Sequence, residues 1–254
     1  MAIIGVIPAR FASTRLPGKP LLSDTGRAMI CHVVDAARAS RRLDRVVVAT
    51  DDERIRAAVV AHGGEAVLTR ADHPTGTDRI AEVVAAIPDA DLVVNIQGDE
   101  PELSPDAIDR VATLLDDDPE APMATLATPI RERATWLDPS CVKVVASTRA
   151  GRTRALYFSR ASIPHHRDGE PDLAADPAAA LLHLGIYAYR RDFLLGYQAL
   201  PPSRLEAAEK LEQLRVLEAG FPIALGVVAE RSVGIDTPED YARFVARWRA
   251  AHPA

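Results

Sequence analysis

Cysteine is nearly absent: Cys31 and Cys141 are the two thiols in 254 residues, and neither has a partner at metal-ligand spacing. Such a chain has no disulfide framework, and its expected setting is a reducing cytosol. Long apolar runs are also missing. No stretch approaches the ~20 residues that cross a bilayer. The opening segment has no basic n-region and its apolar run ends at Pro8-Ala9-Arg10, so no signal peptide is expected. Positive charge is not in excess: 30 Lys and Arg stand against 36 Asp and Glu, a net charge of −6, which argues against a general nucleic-acid binder. Two phosphate-binding fingerprints are lacking as well. Neither Gly-x-x-x-x-Gly-Lys-Ser/Thr nor Gly-x-Gly-x-x-Gly occurs, which removes a Walker loop and a dinucleotide-dependent dehydrogenase.

A hydrophobic content of 48% supports a sizeable core, and its pattern is regular in the first half. Apolar runs at 3–7, 45–50, 65–68 and 92–96 read as strands. Between them, Met29 to Ala37, Ile55 to His62 and Ile80 to Ile87 repeat at helical spacing. Gly63-Gly64 stops one helix, and Ser104-Pro105 starts another as N-cap and first turn. Strand alternating with helix predicts an α/β fold with a mostly parallel central sheet flanked by helices. The second half is less regular. Strands are expected over 123–128, 142–147, 154–158, 184–189 and 224–229. One helix is expected over 205–219, and a last one opens at Asp236-Thr237-Pro238 with Thr237 as cap. The polar, Ala-rich stretch 168–180 reads as a mobile loop. No linker divides the chain, so a single domain is expected, with its two halves meeting near residue 128.

Ligands of such sheets bind beyond the carboxyl ends of the strands. The loop after the first strand, residues 8–20, carries Arg10, Arg15 and Lys19 beside the hydroxyls of Ser13 and Thr14, and Pro8, Pro17 and Pro20 stiffen it. Clustered cations on a stiff loop are a preorganised site for a polyanion, most simply a triphosphate. Asp99, in Gln97-Gly98-Asp99-Glu100-Pro101, stands where a carboxylate could hold Mg²⁺ against phosphate oxygens, with Gly98 permitting close approach of a ligand. Read alone, it is better explained as a turn residue, because Gly-Asp pairs are frequent in turns. Asp236 is either helix-entry chemistry or a second metal carboxylate. If 205–219 is one helix, Glu212 lies on its apolar face with Leu205, Ala208 and Val216, a costly position unless it is paired or walls a polar pocket. Arg160, His165, His166 and Arg167 form a second basic cluster.

Taken in order, these segments resemble one family. The opening Pro8-Ala9-Arg10-x-x-Ser13-Thr14-Arg15-Leu16-Pro17-Gly18-Lys19-Pro20-Leu21 looks like that of the acidic-sugar cytidylyltransferases. Ala49-Thr50-Asp51, Gly76-Thr77-Asp78-Arg79 and Asn95-Ile96-Gln97-Gly98-Asp99-Glu100-Pro101 continue the likeness. Asp236-Thr237-Pro238-Glu239-Asp240 extends it, and Tyr157-Phe158-Ser159-Arg160, His183-Leu184-Gly185-Ile186-Tyr187 and Leu211-Glu212-Gln213-Leu214-Arg215 are similar to the members that act on 3-deoxy-manno-octulosonate (Kdo). The set spans nearly the whole chain. His165 and Leu182, near the sugar segments, and Thr75 depart from the family pattern.

The resemblance implies a nucleotide-diphospho-sugar transferase (Rossmann-like) fold with a smaller sugar-binding and dimerisation region. It implies Mg²⁺, CTP and Kdo as small-molecule substrates, a homodimer, and a cytoplasmic role in lipopolysaccharide inner-core synthesis, with no nucleic acid or membrane partner. Arg10, Ser13, Arg15 and Lys19 match its triphosphate loop, and Arg79 and Gln97 its nucleotide positions. Asp99 and Asp236 match its metal carboxylates, so that Lys19, Arg10, Asp99 and Asp236 are the expected catalytic set. Arg160, Arg167, His183, Tyr187, Glu212 and Gln213 match its sugar pocket. No residue is required as a base. The alternatives are a cytidylyltransferase of 8-amino-Kdo or of a sialic-acid-like sugar, and a silent nucleotide-binding protein on the same fold.

Overall fold

The computed structural model describes residues 1–12, 16–229 and 232–253. The chain divides into two compact units, Met1–Asp109 with Ser232–Ala254, and Arg110–Arg231. The boundary expected near 128 therefore falls at 109, inside a helix, and the C-terminal segment belongs with the N-terminal half.

In the first unit β1 (Ile3–Ala9), α1 (Met29–Arg38), β2 (Arg45–Thr50), α2 (Glu53–Ala61), β3 (Glu65–Leu68), α3 (Gly76–Ala85) and β4 (Leu92–Asn95) alternate as expected. The strands are ordered β3-β2-β1-β4 and pair in parallel. Both faces of β1 are covered, which is why Ile3, Ile4, Val6 and Ile7 run almost without a polar residue. Edge strand β3 leaves Val67 and Leu68 exposed, and the Arg45–Glu65 ion pair ties it to β2. Helix starts follow the sequence: the Asp52 side chain accepts from Arg54 N in α2, and Thr75 Oγ1 accepts from Asp78 N in α3.

Helix α4 (Pro105–Asp117) carries the chain into the second unit. There β5 (Met123–Pro129), α5 (Arg133–Leu137), β6 (Lys143–Arg149), β7 (Arg152–Ser159), β8 (Leu181–Arg190), α6 (Arg191–Gly196), α7 (Arg204–Glu209), α8 (Gln213–Glu218) and β9 (Ile223–Val227) follow. Strand order is β8-β5-β9-β7-β6, and β6 also pairs with β8, so the pairings close on themselves. Only β5 with β9 is parallel among these pairs.

Two expectations for this unit are corrected. The single helix over 205–219 is two short ones, because Lys210 takes a left-handed conformation, φ 55° and ψ 48°. Long-range bonds at the adjacent Glu209 compete with continued helix: its carboxylate accepts from Ser159 Oγ and Arg160 N, and its carbonyl from Arg160 Nε. Glu212 is consequently the N-cap of α8, not a residue on the apolar face of a long helix. The stretch 168–180 is anchored as well. Leu173, Ala179 and Ala180 are buried with Ile130, Trp136 and Leu182, and Asp172 accepts from Ala174 N and Ala175 N.

The chain then returns to the first unit and ends in α9 (Pro238–Ala251), opened by a reciprocal capping box between Thr237 and Asp240. Ile235, Tyr241, Phe244 and Val245 of this return pack with Leu16 and Met29. That shared core places residues distant in sequence in one unit.

Candidate active site

In the first unit the cationic loop is built on an apolar anchor. Leu16 is buried against α1 and α9, Phe11 O accepts from Gly18 N at 3.3 Å, and Leu16 O from Lys19 N at 3.2 Å. Gly18, at φ 67°, turns the chain into the short 3-10 turn Lys19–Leu21. Arg54 of α2 lies 3.6 Å over the Phe11 ring. Ser13 and Arg15, both expected at the triphosphate, lie outside the described residues.

Lys19 is the centre of the site. Its Nζ donates to Asp99 Oδ2 at 2.8 Å, to the Ile235 carbonyl at 2.6 Å and to Asp236 Oδ1 at 3.4 Å. Asp99 and Asp236 are 137 positions apart, and one ammonium brings them together (236 less 99). The two segments also bond directly, Ile235 N donating to the Asp99 carbonyl at 2.9 Å. Next to Asp99, the Glu100 carboxylate accepts from Ser232 Oγ. Burial pushes the Glu100 carboxyl up to about 7, against the opposing pull of the Ser232 bond. Gly98 serves the chain rather than a ligand: a Cβ there would lie 2.7 Å from the Pro8 carbonyl.

The other cations of this unit are held in different ways. Arg10 Nη2 donates to the His73 carbonyl at 2.7 Å, and the His73 ring pairs with Glu82 of α3. Arg79 has no exposed surface, and its guanidinium is engaged by Asp51 at 3.0 Å and by Thr69. Gln97 sits half-buried in the loop after β4, its carbonyl accepting from Glu100 N.

The sugar-site candidates all lie in the second unit. His183 Nε2 is 3.0 Å from Thr125 Oγ1, and its ring meets the edge of Phe158 at 4.9 Å and tilts against Tyr187 at 5.4 Å. Burial pulls His183 down to about 3, so the imidazole is neutral near pH 7. Burial, with Glu212 nearby, raises Tyr187, which stays a phenol. Gln213 is buried with its Nε2 unpartnered. Arg160 bonds through Nε to the Glu209 carbonyl and through Nη1 to the Pro139 carbonyl, while Arg167 is exposed. Lys143, fully buried beside them, donates to the carbonyls of Asp138, Cys141 and Arg160.

Sequence reasoning missed Glu100, Ser232, Asp51 and Glu209. Glu100 carried a signal, a second carboxylate directly after Asp99. The partnerships of Ser232, Asp51 and Glu209 span 28 to 132 positions and have no local signature.

Comparison with known proteins bears on this geometry. The profile of the family described as Cytidylyltransferase matches residues 4–230. The chain belongs to the cytidylyltransferase family. Among curated cytidylyltransferases, the 3-deoxy-manno-octulosonate cytidylyltransferase of Syntrophotalea carbinolica is 50% identical over 252 residues, covering 98% of this chain and 99% of the relative. That of Syntrophobacter fumaroxidans is 51% identical over 242 residues, 94% of each chain. A solved structure of CMP:2-keto-3-deoxy-manno-octonic acid synthetase complexed with CTP superposes with a TM-score of 0.90 at 45% identity, covering 99% of this chain and 100% of that one. A cytidylyltransferase from Leptospira borgpetersenii, 16% identical with a TM-score of 0.64, shares the fold. The expected nucleotide-diphospho-sugar transferase architecture and nucleotidyltransferase class therefore hold for this chain.

Proposed function

We propose that this cytidylyltransferase moves CMP from CTP to the anomeric hydroxyl of Kdo. The anomeric oxygen forms a bond to the α-phosphorus, the bond from that phosphorus to the bridging oxygen breaks, pyrophosphate leaves, and the hydroxyl proton passes to solvent. The observation that carries the reading is Lys19 drawing Asp99 and Asp236 to one point, in a chain half-identical over its length to Kdo cytidylyltransferases.

The donor set fits Mg²⁺. Lys19 Nζ, within 3.4 Å of both carboxylates, acts as a stand-in cation there. Among the described residues no group of three or more His, Cys, Asp or Glu side chains gathers to hold a metal. Two carboxylates, completed by phosphate oxygens and water, suit Mg²⁺. When bound, it supplies neutralising charge on the phosphates and lowers the pKa of the attacking hydroxyl.

Arg10, Arg15 and Lys19 bind and orient the triphosphate with Ser13, and their fixed charge stabilises negative charge as it shifts to the leaving pyrophosphate. Gln97 lines the nucleotide, and Arg79 supports that wall through Asp51. A neutral His183 offers Kdo a hydrogen bond but no charge, so the sugar carboxylate falls to Arg160 and Arg167. Tyr187, Glu212 and Gln213 take its hydroxyls. A cytoplasmic site of action, a role in lipopolysaccharide inner-core synthesis and a homodimer complete the proposal. Exposed Leu156 and Val227, with the apolar groove of Val145, Pro164 and Leu181, support burial of part of the second unit in a dimer.

The test is pyrophosphate release from CTP and Mg²⁺ with Kdo, with 8-amino-Kdo, with N-acetylneuraminate and with no sugar. Release with Kdo is expected. Release only with one of the other sugars reassigns the pocket, and none with any sugar from CTP-binding protein overturns the activity. Asp99→Ala and Asp236→Ala are each expected to abolish turnover in folded protein; retained activity in both removes the two-carboxylate account.

A further inference from the structure

The second proposed metal carboxylate, Asp236, is carried by an irregular segment. Residues 232–236 form neither helix nor strand. Val233 is 43% exposed, and a Cβ on Gly234 would meet nothing within 4 Å. Ile235 alone is driven into the core. An irregular, partly exposed segment samples many conformations unless bonds restrict it. Yet Asp236 must be held near Asp99, because two ligands fixed in advance bind a cation more tightly than two that must be gathered.

The restraints converge on one dipeptide. The Asp99 carbonyl accepts from Ile235 N at 2.9 Å, and the side chain of the next residue, Glu100, accepts from Ser232 Oγ. On the far side Asp240 Oδ2 accepts from Asp236 N at 3.2 Å. Lys19 adds a bond to the Ile235 carbonyl at 2.6 Å, but under the function proposed above Lys19 turns to the triphosphate when CTP binds. Among the described residues, the Ser232–Glu100 bond is then the side-chain brace at the start of the segment.

We propose that Glu100 and Ser232 are positioning residues for the two-carboxylate site: Ser232, bonded to Glu100, sets the segment that presents Asp236 to the metal without touching the metal itself. The inference rests on the Asp99–Asp236 metal reading, and the test separates the two. Mn²⁺ affinity is measured by electron paramagnetic resonance on the full chain with CTP and no sugar, so that no turnover occurs. Ser232→Ala is expected to weaken Mn²⁺ binding by about tenfold, the effect of losing one hydrogen bond to an acidic group. Ser232→Thr, which keeps the hydroxyl, is expected to restore it, and CTP affinity in EDTA should be unchanged in both. Glu100→Ala should act in the same direction as Ser232→Ala.

Wild-type Mn²⁺ affinity in Ser232→Ala overturns the proposal. So does an equal loss of metal-free CTP binding, which marks general loosening. Asp236→Ala is the arm for the underlying reading. If it loses Mn²⁺ while Ser232→Ala does not, the brace is wrong and the metal site stands. If it binds Mn²⁺ as wild type does, the metal site itself is wrong.

Discussion

Arg79 and Asp51 form a largely buried ion pair in the first unit. Arg79 is fully buried, and its charge is tolerable there because Asp51 lies 3.0 Å away. Asp51→Ala leaves an uncompensated buried guanidinium and is expected to cost about 3–5 kcal/mol, read as a lower urea midpoint. The sequence marked Arg79 as a cation beside the nucleotide, and Arg160 as one at the sugar. What it could not convey is that each guanidinium is already engaged, Arg79 by Asp51 and Arg160 by two backbone carbonyls. Partners so far along the chain have no local trace. Lys19, Asp99 and Asp236 were read from the sequence as separate phosphate and metal candidates, and folding adds their convergence. His183 was a sugar-site candidate by resemblance, whereas its neutral state follows from burial and so needs the fold.

Elements were legible where one periodicity dominated. β1, β2 and β4 are nearly continuous apolar runs because parallel strands are covered on both faces, and α9 announces itself through its Thr237 cap. The short helices α5 and α6 were not foreseen, since five or six residues hold too few turns to display a period. The break between α7 and α8 was invisible for another reason. No Gly or Pro marks it; it falls on a lysine, with the neighbouring Glu209 bonded to Ser159 and Arg160. A lysine in the left-handed region carries a steric cost that glycine avoids. Lys210→Gly is therefore expected to raise stability by about 1 kcal/mol, after allowance for the extra freedom of glycine in the unfolded chain. A higher denaturant midpoint checks this, and a lower one would mean that the long side chain packs usefully.

At the scale of the whole molecule, acid is expected to weaken the first unit. His32 is buried between the rings of Phe244 and Trp248, and burial, then the neighbouring Arg27, lowers it to about 4. Asp35 opposes that shift, while His62 and His252 add to it. Below the ordinary histidine value near 6.5 the unfolded chain takes up a proton that the folded ring refuses, so stability is full above that pH and falls towards pH 4. The loss amounts to at most about 3 kcal/mol. Chemical denaturation at pH 7 and pH 4.5 should show it, with a shallower fall in His32→Gln. His32 sits where α9 returns to α1, the same return that delivers Asp236. This discontinuity gives the molecule an order of assembly in time. A ribosome releases Lys19 and Asp99 early, then the entire second unit, and only afterwards Asp236 and the helix that secures it. A growing chain thus presents Lys19 and Asp99 long before Asp236 can join them.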